Sequence, residues 1–296
     1  MKSSCRVFMH VRRGSLLALS LMLVSQVMLA AETGTQLQRV DPEADRLALQ
    51  QYYLKRFPHV PMDEYVNGIY AVDADSRKQW DALMAFPPYE FDLEEGEALF
   101  NTPFANGKGY GDCFENGGIG IRHQYPYWNR EEGTVKTLEQ EINECRVENG
   151  EAPLPWKRGD IAKISAYMAF TSRGKRFAIQ IPEDDPRALQ AYLDGKKFFY
   201  SKRGQLNLSC ANCHLQGSRI LIRADLPGPA LGHPTHFPVF RSKWGEIGTL
   251  HRRYEGCHRD TRSVPLPPQS DAFRKLEYFQ TYMSNGLPVN GPGARK

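Results

Sequence analysis

Cys210-Ala211-Asn212-Cys213-His214 decides the reading of this 296-residue chain. C-x-x-C-H is the attachment pattern of a c-type haem. The two thiols add to the haem vinyl groups, and the adjacent imidazole supplies one axial ligand to iron. The two spacer residues let both sulfurs reach one edge of the macrocycle while the ring points at the metal. A zinc half-site would need a second ligand pair at matched spacing, and none follows. A thioredoxin-like redox pair is the other competing use of these cysteines. One covalently attached haem c is expected, held by Cys210, Cys213 and His214, with His214 on iron.

Residues 1–31 read as a secretory signal. Lys2, Arg6, Arg12 and Arg13 precede an apolar run over 14–29, and Ala30-Ala31 offers a small-residue cleavage site. The run is short for a membrane span, and no other long apolar run exists. The mature chain is therefore expected to have no membrane span. Covalent haem attachment outside the cytoplasm points to a bacterial periplasm. Four of the 38 Lys and Arg residues lie in this leader, while all 34 acids lie outside it. The mature chain is thus nearly neutral, which removes the electrostatic basis for nucleic-acid binding.

Five cysteines remain beyond the leader: Cys113, Cys145, Cys210, Cys213 and Cys257. Two hold haem. The other three sit in an oxidising compartment, where free thiols are unusual. One disulfide leaves one odd thiol, to be read as reactive or metal-bound.

Residues 32–88 form an N-terminal extension with a helix over 41–57, ending at the Pro87-Pro88 boundary. Two similar segments follow. Gly96-Glu97-Ala98-Leu99-Phe100 precedes Cys113 and a helix over 160–172; Gly195-Lys196-Lys197-Phe198-Phe199 precedes Cys213 and a helix over 270–285. Glycine and cysteine are 17 residues apart in one and 18 in the other. Both closing helices carry Tyr-Met on an apolar stripe of helical period. We read a mainly α chain of two tandem cytochrome c-like domains, 89–182 and 183–296, joined around Pro182–Pro186. The first lacks haem, because Phe114 stands where the histidine should be. Cys145 lies on a helix beginning near Thr137, with Leu138, Ile142 and Cys145 on one face. Cys113 and Cys145 are natural disulfide partners, although spacing alone does not fix the pairing. Their bond would add about 3–4 kcal/mol.

The sixth iron ligand separates an electron carrier from an enzyme. Met283 is the only methionine after the haem motif, and it sits in the closing helix as a core residue. The remaining candidates are His233, His236, His251, Cys257 and His258. His233 and His236 flank Pro234 in a Gly/Pro-rich loop and read as surface residues or ligands. Cys257 is the odd thiol. Arg252, Arg253, Arg259 and Arg262 around it favour the thiolate, the better nucleophile and the better iron ligand. Cys257 is the expected distal ligand.

These features together resemble the SoxA family, catalytic subunits of the SoxAX cytochromes of bacterial sulfur oxidation. They are the haem motif, the lone cysteine after Arg253 in Arg-x-x-x-Cys, and the degenerate first domain. Leu99-Phe100-Asn101-Thr102-Pro103-Phe104-Ala105-Asn106-Gly107-Lys108 and Ile142-Asn143-Glu144-Cys145-Arg146 are also similar to that family. The resemblance spans about residues 93–286 and is to the single-haem kind, with Cys113–Cys145 in place of the first centre. It implies an L-cysteine S-thiosulfotransferase, oxidatively joining thiosulfate to a cysteine of the carrier protein SoxYZ. Cys257 would be both haem ligand and sulfur-carrying catalytic residue, Arg253 would bind the anionic substrate, and a small partner cytochrome, SoxX, would take the electrons. Two alternatives are a thiosulfate dehydrogenase forming tetrathionate, a family typically with two haem motifs, and a plain electron-transfer cytochrome c. The second leaves the Arg-rich setting of Cys257 unexplained.

Overall fold

The computed structural model describes residues 40–296, so the leader reading falls outside the described residues. In chain order the main helices are α1 (Pro42–Arg56), α2 (Ala74–Met84), α3 (Glu90–Asn101), α4 (Leu138–Glu148), α5 (Asp160–Phe170), α6 (Pro186–Tyr200), α7 (Leu250–Asp260) and α8 (Asp271–Tyr282). The expected helices are present, and two pairs dominate the packing. α3 crosses α5, and α6 crosses α8. Each crossing is close enough to demand glycine. A Cβ on Gly96 would fall 2.2 Å from the Lys163 carbonyl oxygen, and one on Gly195 would fall 2.1 Å from that of Lys275. The start of α6 is set by capping chemistry: the Asp185 carboxylate accepts from the Arg187 amide at 3.0 Å, with Pro186 in the first turn. Thr137 caps α4 in the same way, accepting from the Gln140 amide at 3.2 Å.

The internal likeness runs deeper than the helix pairs. Pro126-x6-Gly133-x3-Thr137-Leu138-x6-Cys145 recurs, residue for residue, as Pro238-x6-Gly245-x3-Thr249-Leu250-x6-Cys257. Each copy is a short hairpin followed by a helix: β1 (Tyr127–Asn129) with β2 (Thr134–Lys136) before α4, and β3 (Val239–Arg241) with β4 (Glu246–Gly248) before α7. Gly133 at φ 64° and Gly245 at φ 68° make the turns, in the left-handed region that favours glycine. A terminal strand, β5 (Gly293–Arg295), adds to β3 in parallel. Cys145 is therefore the positional counterpart of Cys257.

Each half has its own core, and the two halves exchange hairpins. Trp128 and Val135 of the first hairpin join the core built on α6 and α8. Phe240 and Ile247, their counterparts, join the core built on α3 and α5. α1 adds Leu49, Tyr53 and Phe57 to the haem-motif half, not to the other. A buried polar group crosses the junction: Arg122 from the first half lies 3.4 Å from Glu277 on α8, which lies 3.2 Å from His251 on α7.

Cys113 and Cys145 are disulfide-bonded, with Cα atoms 5.8 Å apart and 32 residues of separation. Replacing both by serine is expected to cost about 3–4 kcal/mol. For a chain of this size that is roughly a 10 °C fall in Tm. Differential scanning calorimetry checks this; an unchanged Tm would mean that the first half does not depend on the bond.

Candidate haem and sulfur-transfer site

Asn212–Gln216, carrying Cys213 and His214, forms a single wide helical turn directly after Cys210. Its start is tied by Asn212, whose side-chain oxygen accepts from the Ser209 amide at 2.9 Å. Its carbonyls are held by α1. The Tyr53 hydroxyl donates to the His214 carbonyl at 2.6 Å and accepts from the Ala230 amide at 2.8 Å. The Arg56 guanidinium donates to the Ser218 carbonyl at 2.7 Å. The N-terminal extension thus satisfies backbone groups that the haem-bearing turn leaves open.

His214 Nδ1 donates to the Gly228 carbonyl at 2.9 Å. That bond places the lone pair on Nε2, as an axial ligand requires. Burial holds the His214 pKa down at about 4, so the ring is neutral. Cys210 and Cys213 are both unpaired thiols. The donor set fits a covalently attached haem: two free cysteines on one turn, and a neutral imidazole in the correct tautomer.

α7 brings the odd cysteine to this turn. Cys257 is half-buried, and its charge acts on Cys210 and Cys213. Arg253 lies one turn earlier on the same face of α7. The Cys257 charge holds its guanidinium above the ordinary value, and its acidic partner Asp260 is 3.5 Å away. The neighbouring arginines are engaged elsewhere. Arg252 stacks on Trp244 and pairs with Glu246 at 3.0 Å, and Arg259 pairs with Glu255 at 3.5 Å. Arg241, at the end of β3, was not singled out from sequence; burial, then the charge of Arg253, lowers its pKa.

Of the other ligand candidates, His251 and Met283 are held by partners of their own. His251 Nδ1 accepts from the Gln269 amide at 2.9 Å, and its Nε2 faces Glu277. His258 Nδ1 faces the Val264 carbonyl at 3.0 Å, and its ring packs on Phe198 and Phe273. Met283 is 4% exposed, with its sulfur 3.6 Å from the Tyr192 hydroxyl, so it is a core residue. His233 and His236, read from sequence as surface residues or ligands, are half-buried and buried respectively. His236 is 7% exposed, and the chain passes so close to Tyr65 that a Cβ on Gly232 would meet its carbonyl oxygen at 2.4 Å. The His233 ring stands across that of His214 with centroids 3.9 Å apart. Two imidazoles trans on one metal, with bonds of about 2 Å, would be roughly 6 Å apart or more.

With this geometry in place, the comparisons with known proteins are decisive. The chain is 53% identical over 255 residues to the L-cysteine S-thiosulfotransferase subunit SoxA of Allochromatium vinosum, covering 86% of this chain and 90% of the relative. The chain belongs to the SoxA family. The SoxA of Chlorobaculum tepidum is 55% identical over 254 residues, covering 86% and 88% of the two chains. The SoxA/TsdA cytochrome c domain matches residues 95–177, the half without a C-x-x-C-H motif. The crystal structure of SoxXA from P. pantotrophus superposes with a TM-score of 0.66 at 26% identity, covering 76% of this chain and 84% of that one. The mainly helical fold of this chain is thus shared with a chain of that structure.

Proposed function

We propose that this SoxA chain joins thiosulfate oxidatively to a cysteine of a carrier protein, with Cys257 as the sulfur-carrying residue, Arg253 as the anion-binding residue and a single haem c at Cys210, Cys213 and His214. The reaction balances in two steps. The Cys257 thiolate and thiosulfate form Cys257–S–S–SO3⁻ and release two electrons. A carrier thiolate then attacks the sulfur bound to Cys257 Sγ, giving carrier–S–S–SO3⁻ and returning the Cys257 thiolate. Haem held beside Cys257 would take these two electrons one at a time, each being passed on before the next. A partner cytochrome of the SoxX kind takes the electrons onward, SoxYZ is the carrier, and the chain works in the periplasm.

Arg253 offers a planar fork of donors to the sulfonate oxygens and favours the thiolate beside it. Tyr254 and His258 on the adjoining face of α7 are buried, which fixes the helix that presents Cys257. What supports this reading is that Arg253 and Cys257 lie one turn apart on one face of α7 and within electrostatic reach of Cys213 in the haem-motif turn. One haem rather than two is supported by the single C-x-x-C-H motif and by the disulfide that Cys113 and Cys145 form instead.

The test is a transfer assay with thiosulfate, a carrier thiol and an electron acceptor, set against tetrathionate release. Carrier-bound product without tetrathionate supports the reading; tetrathionate alone would favour the dehydrogenase. Arg253→Lys keeps the charge and loses the fork. It is expected to lower kcat/KM by roughly 10- to 100-fold, the worth of one charge-assisted hydrogen bond of about 1.5–3 kcal/mol. An unchanged kcat/KM would remove Arg253 from the anion site.

A further inference from the structure

A chain of polar side chains beside the haem motif, two buried and one half-buried, has no part in the sulfur chemistry. Tyr254 lies one turn before Cys257 on α7 and is 7% exposed. Its hydroxyl donates to Oε1 of Gln280 on α8, itself 4% exposed. Gln280 Oε1 is the one acceptor this hydroxyl reaches among the described residues, which fixes how the amide is turned. Nε2 of the amide then faces His233 Nδ1 at 3.2 Å. An amide N–H can only donate, so Nδ1 accepts and the His233 proton sits on Nε2.

The His233 and His214 rings are in contact at an interplanar angle of 77°, yet they carry opposite tautomers. His214 keeps a lone pair on Nε2, as iron requires. His233 presents an N–H there, and no acceptor for it exists among the described residues. His233 is half-buried, and haem held by His214 would cover it further. A donor buried without an acceptor costs about 1–3 kcal/mol, so the haem-loaded site needs one. A haem ligated by His214 carries two carboxylates, its propionates, and no other anionic groups.

We infer that His233 is a haem-propionate donor, held in its donating tautomer by Gln280 and Tyr254. The inference rests on the reading of His214 as proximal ligand. Its consequence is a polar link from the helix that bears Cys257 to the haem edge. Partial neutralisation of a propionate by this N–H disfavours the ferric state relative to the ferrous. Tyr254 and Gln280 are positioning residues here; they act through the His233 tautomer.

The test is an equilibrium redox titration of the matured, haem-loaded protein. His233→Phe is expected to shift the Fe(III)/Fe(II) ratio at fixed ambient potential about tenfold toward ferric, a fall of about 59 mV. His233→Gln, whose amide places an N–H at similar reach, is expected to recover most of that shift. Tyr254→Phe keeps the ring and deletes only the hydroxyl, and is expected to move the ratio severalfold in the same direction. A wild-type potential in haem-loaded His233→Phe would overturn the inference, as would His233→Gln shifting as far as His233→Phe. If His233→Phe takes up no haem, Tyr254→Phe decides: an unchanged potential overturns the proposal. A wild-type chain with no haem on Cys210 and Cys213 would instead overturn the proximal-ligand reading, a separate and visible result.

Discussion

Cys257→Ala is expected to leave haem covalently attached and to end turnover, with kcat lower by at least about a thousandfold. Attachment needs only Cys210 and Cys213, which lie on a different element from Cys257. Their turn is held by Tyr53, Asn212 and Arg56, none of which touches α7 through these bonds. The catalytic loss is large because the thiolate is the atom that bonds to thiosulfate; no neighbouring group replaces it, Cys113 and Cys145 being paired with each other. Haem staining of a denaturing gel, beside the transfer assay, reads both quantities. A variant that stains fully and still transfers sulfur at the wild-type rate would remove Cys257 from the chemistry. Cys257→Ser is expected to match Cys257→Ala, since a hydroxyl at this position is not ionised at neutral pH.

The second large effect lies at the junction between the halves. Glu277→Leu is expected to cost about 3–5 kcal/mol, because it leaves the Arg122 guanidinium buried without its carboxylate. Arg122 and Glu277 are each 1% exposed and 3.4 Å apart. Burial alone would raise the Glu277 pKa, but the His251 hydrogen bond and the Arg122 charge together bring it below the usual carboxylate value. A depressed folded pKa contributes stability above the unfolded pKa, and this is lost as pH falls through the folded one. The double variant Arg122→Met/Glu277→Leu is expected to regain most of the loss, because it removes both charges and fills the space. Urea denaturation of the two single variants and the double one measures this as a cycle. Strictly additive losses would mean that the pair is not a unit.

Much of this organisation was readable in the residues. Gly96 and Gly195 open the two alike segments, and the structure gives the reason: each lies where a closing helix crosses within van der Waals contact of the backbone. Position made Cys113 and Cys145 the natural partners without fixing their pairing, which the structure shows; the odd cysteine followed from the count. The exchanged hairpins were not legible, because strands of three residues carry almost no periodicity and their cores lie in the other half of the chain. The repeated Pro-Gly-Thr-Leu-Cys spacing was present in the sequence and would have aligned Cys145 with Cys257. The inward setting of the loop, with His236 buried and His233 half-buried, was hidden for a different reason. Gly/Pro-rich segments usually run over the surface, where water satisfies their backbone. Here Tyr53 from α1 supplies a hydrogen bond to Ala230 instead. The work of α1 was equally invisible, since it lies in carbonyl groups more than 150 residues away.

The central proposal is that Cys257 and His214 would both serve as ligands of the haem iron. An electron paramagnetic resonance spectrum of the oxidised, matured protein tests it most directly, recorded beside Cys257→Ala. The account predicts a low-spin ferric signal of thiolate character that disappears in the variant. A histidine–methionine or bis-histidine signal, unchanged by the substitution, would contradict it and leave electron carriage as the function of the haem.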